Sequence, residues 1–278
     1  MKIKHNKTWF ITGASKGMGL ALTKYLLQNG YNVAATSRNT KDIVDLFGKN
    51  EKFLPLNVDI TAEKEVKKAI EKTFNTFGSI DVIVNNAGYG LVGALEELTD
   101  LEIRQTIDVN LFGTINVIRA SMPYLRKQKY GHVINVSSIA GYNGAALSGS
   151  YDAAKFAVIG LSESLHSEVK DFGINVTVAI PGLFRTNFMN DSSLQITANL
   201  IEDYKSEAQI KMWQQYSGHQ PGDPSKLAMV LKDITEMDEP PLHLLLGSDA
   251  FQIATAKMKA NLETFEHYKT LSVSTNFD

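Results

Sequence analysis

Short apolar runs with no polar face alternate with longer amphipathic stretches along this chain, and that alternation limits its fold more than any other feature. Val82-Ile83-Val84 and Val176-Thr177-Val178-Ala179-Ile180 are almost wholly apolar at successive positions. Successive strand side chains point to opposite faces, so such runs are covered on both sides, as in a parallel sheet between helix layers. Seven strands are predicted, at 7–12, 31–38, 52–58, 81–86, 132–138, 174–181 and 241–247. Between them lie helical patterns such as 61–77, whose opening Thr61-Ala62-Glu63-Lys64-Glu65 reads as an N-cap with acidic residues in the first turn. Right-handed crossovers between such strands give an α/β, doubly wound, mostly parallel seven-stranded sheet with helices on both faces.

A chain of 278 residues suits one such domain, and no repeat, low-complexity tract or Pro/Gly linker divides 1–278. The segment 184–223 breaks the rhythm; it is too long for a simple connection and reads as a helical insertion. Residues 248–278 read as a C-terminal extension, with one long helix from 249 to about 268. A net charge of −2 lacks the basic surplus of a nucleic-acid binder. The chain has no cysteine, which removes disulfides, thiolate metal sites and cysteine nucleophiles and fits a cytoplasmic setting. No signal-peptide apolar region fits before Gly13, and no run of about 18 apolar residues exists to span a membrane.

The first strand runs into Thr12-Gly13-Ala14-Ser15-Lys16-Gly17-Met18-Gly19, followed by a helical stretch. Gly13 permits the tight turn, Gly17 lets backbone N–H groups approach a pyrophosphate, and Gly19 allows close packing of the helix on the strand. The helix N-terminus adds unpaired donors and a positive dipole end, the arrangement of a Rossmann-type dinucleotide site. The spacing is G-x-x-x-G-x-G rather than the usual G-x-G-x-x-G. After the second strand comes Ala35-Thr36-Ser37-Arg38-Asn39, with no carboxylate before Asp42. NAD sites usually place an Asp or Glu here for the ribose 2′-hydroxyl. Arg38 instead suits a 2′-phosphate, with Lys16 as a second positive charge and Ser37 as a hydroxyl donor, so NADP(H) is favoured over NAD(H).

Six segments together resemble the short-chain dehydrogenase/reductase family, from about Trp9 to Thr186 and more loosely to Gly247. They are the 12–19 turn, Asn85-Asn86-Ala87-Gly88, Asn110, Ser138, Tyr151-Asp152-Ala153-Ala154-Lys155, and Pro181-Gly182 with Thr186. All fall at C-terminal ends of predicted strands or in the helices that follow, where open α/β sheets bind ligands. The resemblance implies that Asn85, Ala87 and Gly88 support the adenosine side and pack the sheet centre. It implies that Thr186 bonds the nicotinamide carboxamide beside a wall shaped by Pro181 and Gly182. The family often has Asp-Val after the third strand; here Asn57-Val58 stands, and an amide oxygen can still accept from adenine.

Hydride transfer to a ketone needs a proton donor, a group that polarises the carbonyl and a hydride source. Tyr151 and Lys155 are four apart, hence on one helix face. A tyrosine pKa near 10 is high for acid–base work, and a nearby ammonium would lower it. Ser138 would donate to the substrate oxygen, and Lys155 would also bond the nicotinamide ribose. The resemblance implies that Asn110 holds a water linking Lys155 to solvent. His132, His166, His219 and His243 show no ligand spacing to each other or to carboxylates, and Asp108 and Asp152 read as local polar groups, so no metal site is proposed.

The 184–223 insertion carries Phe184, Phe188, Met189, Leu194, Ile196, Leu200, Ile201, Met212, Trp213 and Tyr216. As a substrate lid, with Leu91, Val92, Gly144, Leu147 and Gly182 lining the same pocket, it suggests an apolar carbonyl or alcohol substrate; otherwise it simply covers the sheet edge. The family pattern implies a homodimer or homotetramer through the helix from about 100 to 127 and the Tyr151 helix. An NADP(H)-dependent carbonyl reductase is thus expected. A non-catalytic NADP(H)-sensing protein on the same fold and an NAD-preferring enzyme that tolerates Arg38 are the alternatives.

Overall fold

The computed structural model describes residues 7–189 and 193–277. Its main sheet has strands β1 (Thr8–Ile11), β2 (Asn32–Ser37), β3 (Phe53–Asn57), β4 (Val82–Asn85), β6 (Gly131–Val136), β7 (Ile174–Pro181) and β9 (His243–Leu246). Their spatial order is β3-β2-β1-β4-β6-β7-β9, and every pairing is parallel. The seven predicted strands are all present, with ends shifted by two residues at most. Strand order reverses between β1 and β4, so the chain leaves these two strands in opposite directions and opens a crevice at their C-terminal ends.

The helices are α1 (Gly17–Gln28), α2 (Lys41–Phe47), α3 (Glu63–Phe77), α4 (Asp100–Ile107), α5 (Gly113–Gln128), α6 (Gly149–Val169), α7 (Ser206–Gln215), α8 (Pro224–Ile234), α9 (Ser248–His267) and α10 (Lys269–Val273). The period of two sorts the sheet into two cores. Trp9, Ile11, Val33, Ala35, Val82 and Val84 pack under Leu22 and Leu26 of α1 and Leu227 and Leu231 of α8. The intervening Phe10, Ala34 and Ile83 pack under Ile70 of α3, Val117 of α5 and Leu165 of α6. Each fully buried side chain of this kind contributes about 2 kcal/mol. Among the described residues no helix is long and apolar enough to cross a membrane.

Two expectations are corrected. Thr61 does not cap α3: its hydroxyl and amide both bond the Asp59 carboxylate, and the extended Ala62 precedes the helix without a side-chain cap. Asp59 competes successfully because an Asx-type bond two residues ahead is short and local. The 184–223 insertion is only partly helical. It holds β8 (Leu194–Ile196), which pairs in parallel with β5 (Gly90–Val92), before α7 begins. Three-residue strands carry no readable period and exist here only through a partner a hundred residues away. His243 is held by side chains of other elements: its Nε2 lies 3.0 Å from Glu163 and its Nδ1 bonds the Tyr142 hydroxyl.

His132 is buried at 4% exposure in β6 and bonds Thr177 at 2.9 Å; burial, with a smaller contribution from the Lys7 charge, pushes its pKa down from 6.5 to about 4. The folded state therefore keeps His132 neutral while the unfolded chain takes up a proton below pH 6.5. Stability is retained above pH 6.5 and lost as pH falls toward 4, by about 3 kcal/mol at the limit. Denaturation midpoints of His132→Gln, compared with the parent from pH 7 to 4.5, should show a shallower acid loss in the variant; parallel profiles would contradict this.

Candidate active site

The crevice is held at its reversal point by Thr12. Its hydroxyl accepts the amides of Asn86 and Ala87, both at 3.0 Å, while Asn86 Nδ2 donates to the carbonyls of Thr12 and Gly13 at 2.9 and 3.1 Å. The turns after β1 and β4 thus form one rigid floor. Gly13 has φ +66°, and a Cβ there would lie 2.8 Å from the Ala87 backbone; Gly17 has φ +57°. Both positions demand glycine. Gly19 packs against Asn86 and the Gly13 carbonyl rather than against the strand itself.

Helix α1 opens at Gly17, and its N-cap Lys16 offers no side-chain cap to the first-turn amides. Those amides are left to an anion beside the Ser15–Gly17 backbone, and the dipole favours one. Thr186, after β7, stands opposite, with its Cβ 3.7 Å from where a Gly17 Cβ would be, and its hydroxyl accepts the Phe188 amide. Lys16 and Arg38 are both exposed and lie close enough to interact: burial first, then the Arg38 charge, lowers the Lys16 pKa. At the same rim Val58 N donates to the Ser37 carbonyl at 3.1 Å, and exposed Asn57 lies beside Ser37 in the ladder. An open glycine cradle at a helix N-terminus, with two cations at its rim, fits a dinucleotide.

Not every predicted residue faces the crevice. Asn85 is turned into the sheet, where its Nδ2 donates to Asn135 Oδ1 at 2.8 Å and Asn135 in turn donates to Ser162. Its role is in the buried polar chain between β4, β6 and α6. Val58 and Met18 point into the cores, so either could meet a ligand mainly through its backbone.

Around the far side of the crevice, Ser138 follows β6, and Tyr151 and Lys155 lie in the first two turns of α6. Ser138 Oγ accepts the Ala140 amide at 3.1 Å and so caps the short turn Ile139–Gly141, and it lies near enough to the Tyr151 phenol to favour its ionised form. Lys155, 4% exposed, places Nζ 5.6 Å from the Tyr151 ring centroid and donates to the Val136 carbonyl at 3.1 Å. Asn110 lies in a π-turn, Asp108–Phe112, that interrupts the predicted 100–127 helix between α4 and α5. Such bulges cost regular bonding and gather at functional sites. Its amide donates to the carbonyls of Tyr89 and Thr106, at 3.0 and 2.9 Å, and leaves Oδ1 buried without a protein partner. A Cβ on Gly88 would collide with that Oδ1 and lie 3.5 Å from Lys155 Nζ, so glycine is what lets the two groups approach.

The electrostatics correct one expectation. Burial, reinforced by the Asp152 charge and only partly offset by the Ser138 hydrogen bond, pushes Tyr151 up to about 12. Burial pushes Lys155 down to about 8. The ammonium does not lower the phenol because removing the phenolate from water costs more than a cation beyond the ring returns. Near neutral pH the pair is phenol and ammonium, which is the proton-donating state.

Three carboxylates shape the site, two of which, Asp249 and Glu97, the sequence reading passed over. Asp249 of α9 accepts the Leu183 amide at 2.6 Å and lies against Gly182, fixing the loop that follows the buried Pro181. Asp152 anchors the turn before α6 through Ala145 N and Ser148. Glu97, 1% exposed, receives Ala94 N at 2.7 Å, Ile201 N at 2.8 Å and the Ser206 hydroxyl at 2.9 Å, tying the 184–223 segment to the β5–α4 connection. Its burial would raise the carboxyl, but these donors hold it below its usual range. A carboxylate inside Ala94-Leu95-Glu96-Glu97-Leu98 is the only sequence hint of it. The segment's apolar residues Phe188, Met189, Leu194, Ile196, Ile210 and Trp213 pack with Val92 and Leu147, and the Phe188 ring lies 6.1 Å from that of Tyr151. Leu200, Met212 and Tyr216 instead face solvent. Asn190–Ser192 lie outside the described residues.

The short chain dehydrogenase family description matches residues 7–196. Over 273 residues the chain is 37% identical to Oxidoreductase BOA17 of Botryotinia fuckeliana, covering 96% of this chain and 98% of that protein. It is 35% identical over 255 residues to 3-ketodihydrosphingosine reductase of Bacteroides thetaiotaomicron, covering 90% and 91%. A crystal structure of a short-chain dehydrogenase from Streptomyces avermitilis superposes with a TM-score of 0.88 at 31% identity, over 97% of this chain and all of the other.

Replacing Glu97 with Ala should leave the Ile201 and Ala94 amides without their acceptor. Charge-assisted bonds are worth about 1.5–3 kcal/mol each, so hydrogen exchange at 94 and 201 should accelerate by about 10- to 100-fold while β1 and β4 keep their protection. Unchanged exchange at those amides would show that Glu97 does not hold the segment.

Proposed function

The chain belongs to the short-chain dehydrogenase family, and on that premise we propose that this oxidoreductase moves a hydride between NADP(H) and a carbonyl or secondary-alcohol carbon of an apolar substrate. The observation that carries the reading is the grouping of Ser138, Tyr151 and Lys155, with the Lys155 Nζ 5.6 Å from the Tyr151 ring centroid, at the mouth of the β1–β4 crevice. When bound, NADPH supplies the hydride. The protein's part is to place the acceptor carbonyl and protonate it. The Ser138 hydroxyl and the Tyr151 phenol both donate to the substrate oxygen, stabilising charge as it develops. Tyr151 then gives its proton, leaving a phenolate that the Lys155 ammonium stabilises. The buried Oδ1 of Asn110 supplies an acceptor near Lys155 through which a proton can be returned. An intact serine, tyrosine and lysine favour turnover over mere cofactor sensing.

For the cofactor, Arg38 and Lys16 at the adenosine end, without a carboxylate at 35–39, support a 2′-phosphate. Lys155 would bond the nicotinamide ribose and Thr186 the carboxamide, with Pro181 and Gly182 alongside. For the substrate, the apolar cluster beside Tyr151 and the reductase of a long-chain ketone among the relatives support an apolar carbonyl compound.

With NADPH and a panel of apolar ketones, Tyr151→Phe should lose at least about 100-fold in kcat, the usual yield of a general acid. Full retention would remove the proposed acid. Reductive kcat/KM should fall as pH rises through about 8, where Lys155 loses its charge. Arg38→Ala should cut the NADPH-over-NADH preference by about 10- to 100-fold, the worth of one charge-assisted contact; a preference that is absent in the parent, or survives the change, would defeat the NADP(H) assignment.

A further inference from the structure

Helix α9 is 20 residues long, yet only Ala250 and Ala254 of it are buried. A single helix of that length is marginal in water and draws its stability from a packed face. Here the face is bare. Phe251, Met258, Leu262 and Phe265 are 61%, 59%, 60% and 66% exposed. Phe251, Met258 and Phe265 recur every seven residues, with Leu262 four after Met258, so they form a narrow seam of the coiled-coil kind rather than the broad apolar face that lies in a membrane. We propose that this seam pairs antiparallel with the same helix of a second copy of the chain.

Charge decides the orientation. At roughly 100° per residue, Lys259, Glu263 and Glu266 fall on one flank of the seam. Parallel pairing would set this flank against the uncharged Ala254 and Asn261 of the other copy and leave its charges unmatched. Antiparallel pairing brings Lys259 to Glu263 or Glu266 of the other copy, and either match puts the two-fold axis close to Leu262. Lys269, in α10, lies 3.6 Å from Glu266 within its own chain. The seam then interleaves Met258 with the partner's Phe265 on both sides of Leu262. Aromatic side chains offer about 150–250 Å² each. Phe265 at this exposure, with Met258, Leu262 and the stems of the flanking charges, contributes several hundred Å² per copy toward what a stable dimer needs. Lys257, Lys259 and Lys269 balance Asp249, Glu263 and Glu266, so the arm carries no surplus charge to draw it to an anionic lipid surface.

The chain has no cysteine, so one introduced thiol reports alone. Leu262→Cys, oxidised in the full-length protein, should give a covalent species of twice the chain mass. Phe251→Cys should not, because eleven residues from the axis place its copies about 33 Å apart, well beyond disulfide reach. Cross-linking at Phe251, or none at Leu262, overturns the antiparallel pair. Independently, Leu262→Glu with Phe265→Glu should halve the assembly mass in sedimentation equilibrium while NADPH-dependent turnover shows that the domain remains folded. An unchanged mass overturns the proposal, as does a parent that co-sediments with phosphatidylcholine–phosphatidylserine vesicles and loses that binding in the double variant.

Discussion

The hydroxyl of Thr12 lies where the strand order turns back on itself, and much of the site's shape follows from the two amides it accepts. A parallel sheet leaves the C-terminal ends of its strands as open loops, and at β1 and β4 those loops diverge. Without a bond across them the crevice would have two independent lips. Thr12 and Asn86 join the lips through four hydrogen bonds, so the glycine turn and the 86–88 segment keep one spacing. Ala87 can then sit under Gly13, and Gly88 can admit Asn110 and Lys155 at the same height. The floor of the crevice is thereby set before any ligand arrives, which is the preorganisation that hydride and proton transfer require.

Two buried ionisable groups share this site and pull in opposite directions. Removing Lys155 from water favours its neutral amine, and removing Tyr151 favours its neutral phenol. The Val136 carbonyl keeps a bond on the amine. The cost of holding both groups dry is borne by the apolar layers on the two sheet faces. It leaves a donor that parts with its proton only when a stronger base, such as a nascent alkoxide, is presented. The phenol is thus selective for the reacting state of the substrate rather than reactive toward water.

The strands, and the placing of Tyr151 and Lys155 on one helix face, were readable from the chain because their signals are local. Val82-Ile83-Val84 is apolar on both faces, and Tyr151 and Lys155 share a helix face at a spacing of four. What escaped depends on partners far along the chain. β5 and β8 are three residues each and bond across a hundred positions. Glu97 looks like any solvated glutamate until Ile201 and Ser206 close over it. Asn85 packs the sheet centre as its motif implies, but its bond to Asn135, fifty positions on, carries no local signal. The π-turn at Asn110 inserts a register change that no apolar period records. The expected depression of the Tyr151 pKa followed from the neighbouring charge alone; burial, which sequence cannot supply, reversed its sign.

The insertion between β7 and α8 leaves and re-enters the body at nearly one point. Phe184 bridges Gly222, Arg185 N donates to the Gly222 carbonyl, and Asp223 caps α8 immediately afterwards. A segment whose two ends are already joined behaves as a detachable cassette: extending or exchanging its interior adds only a slowly growing closure entropy and leaves the sheet's register untouched. The interior of this segment can therefore change in length or sequence without moving Ser138, Tyr151 and Lys155, which are anchored on separate elements.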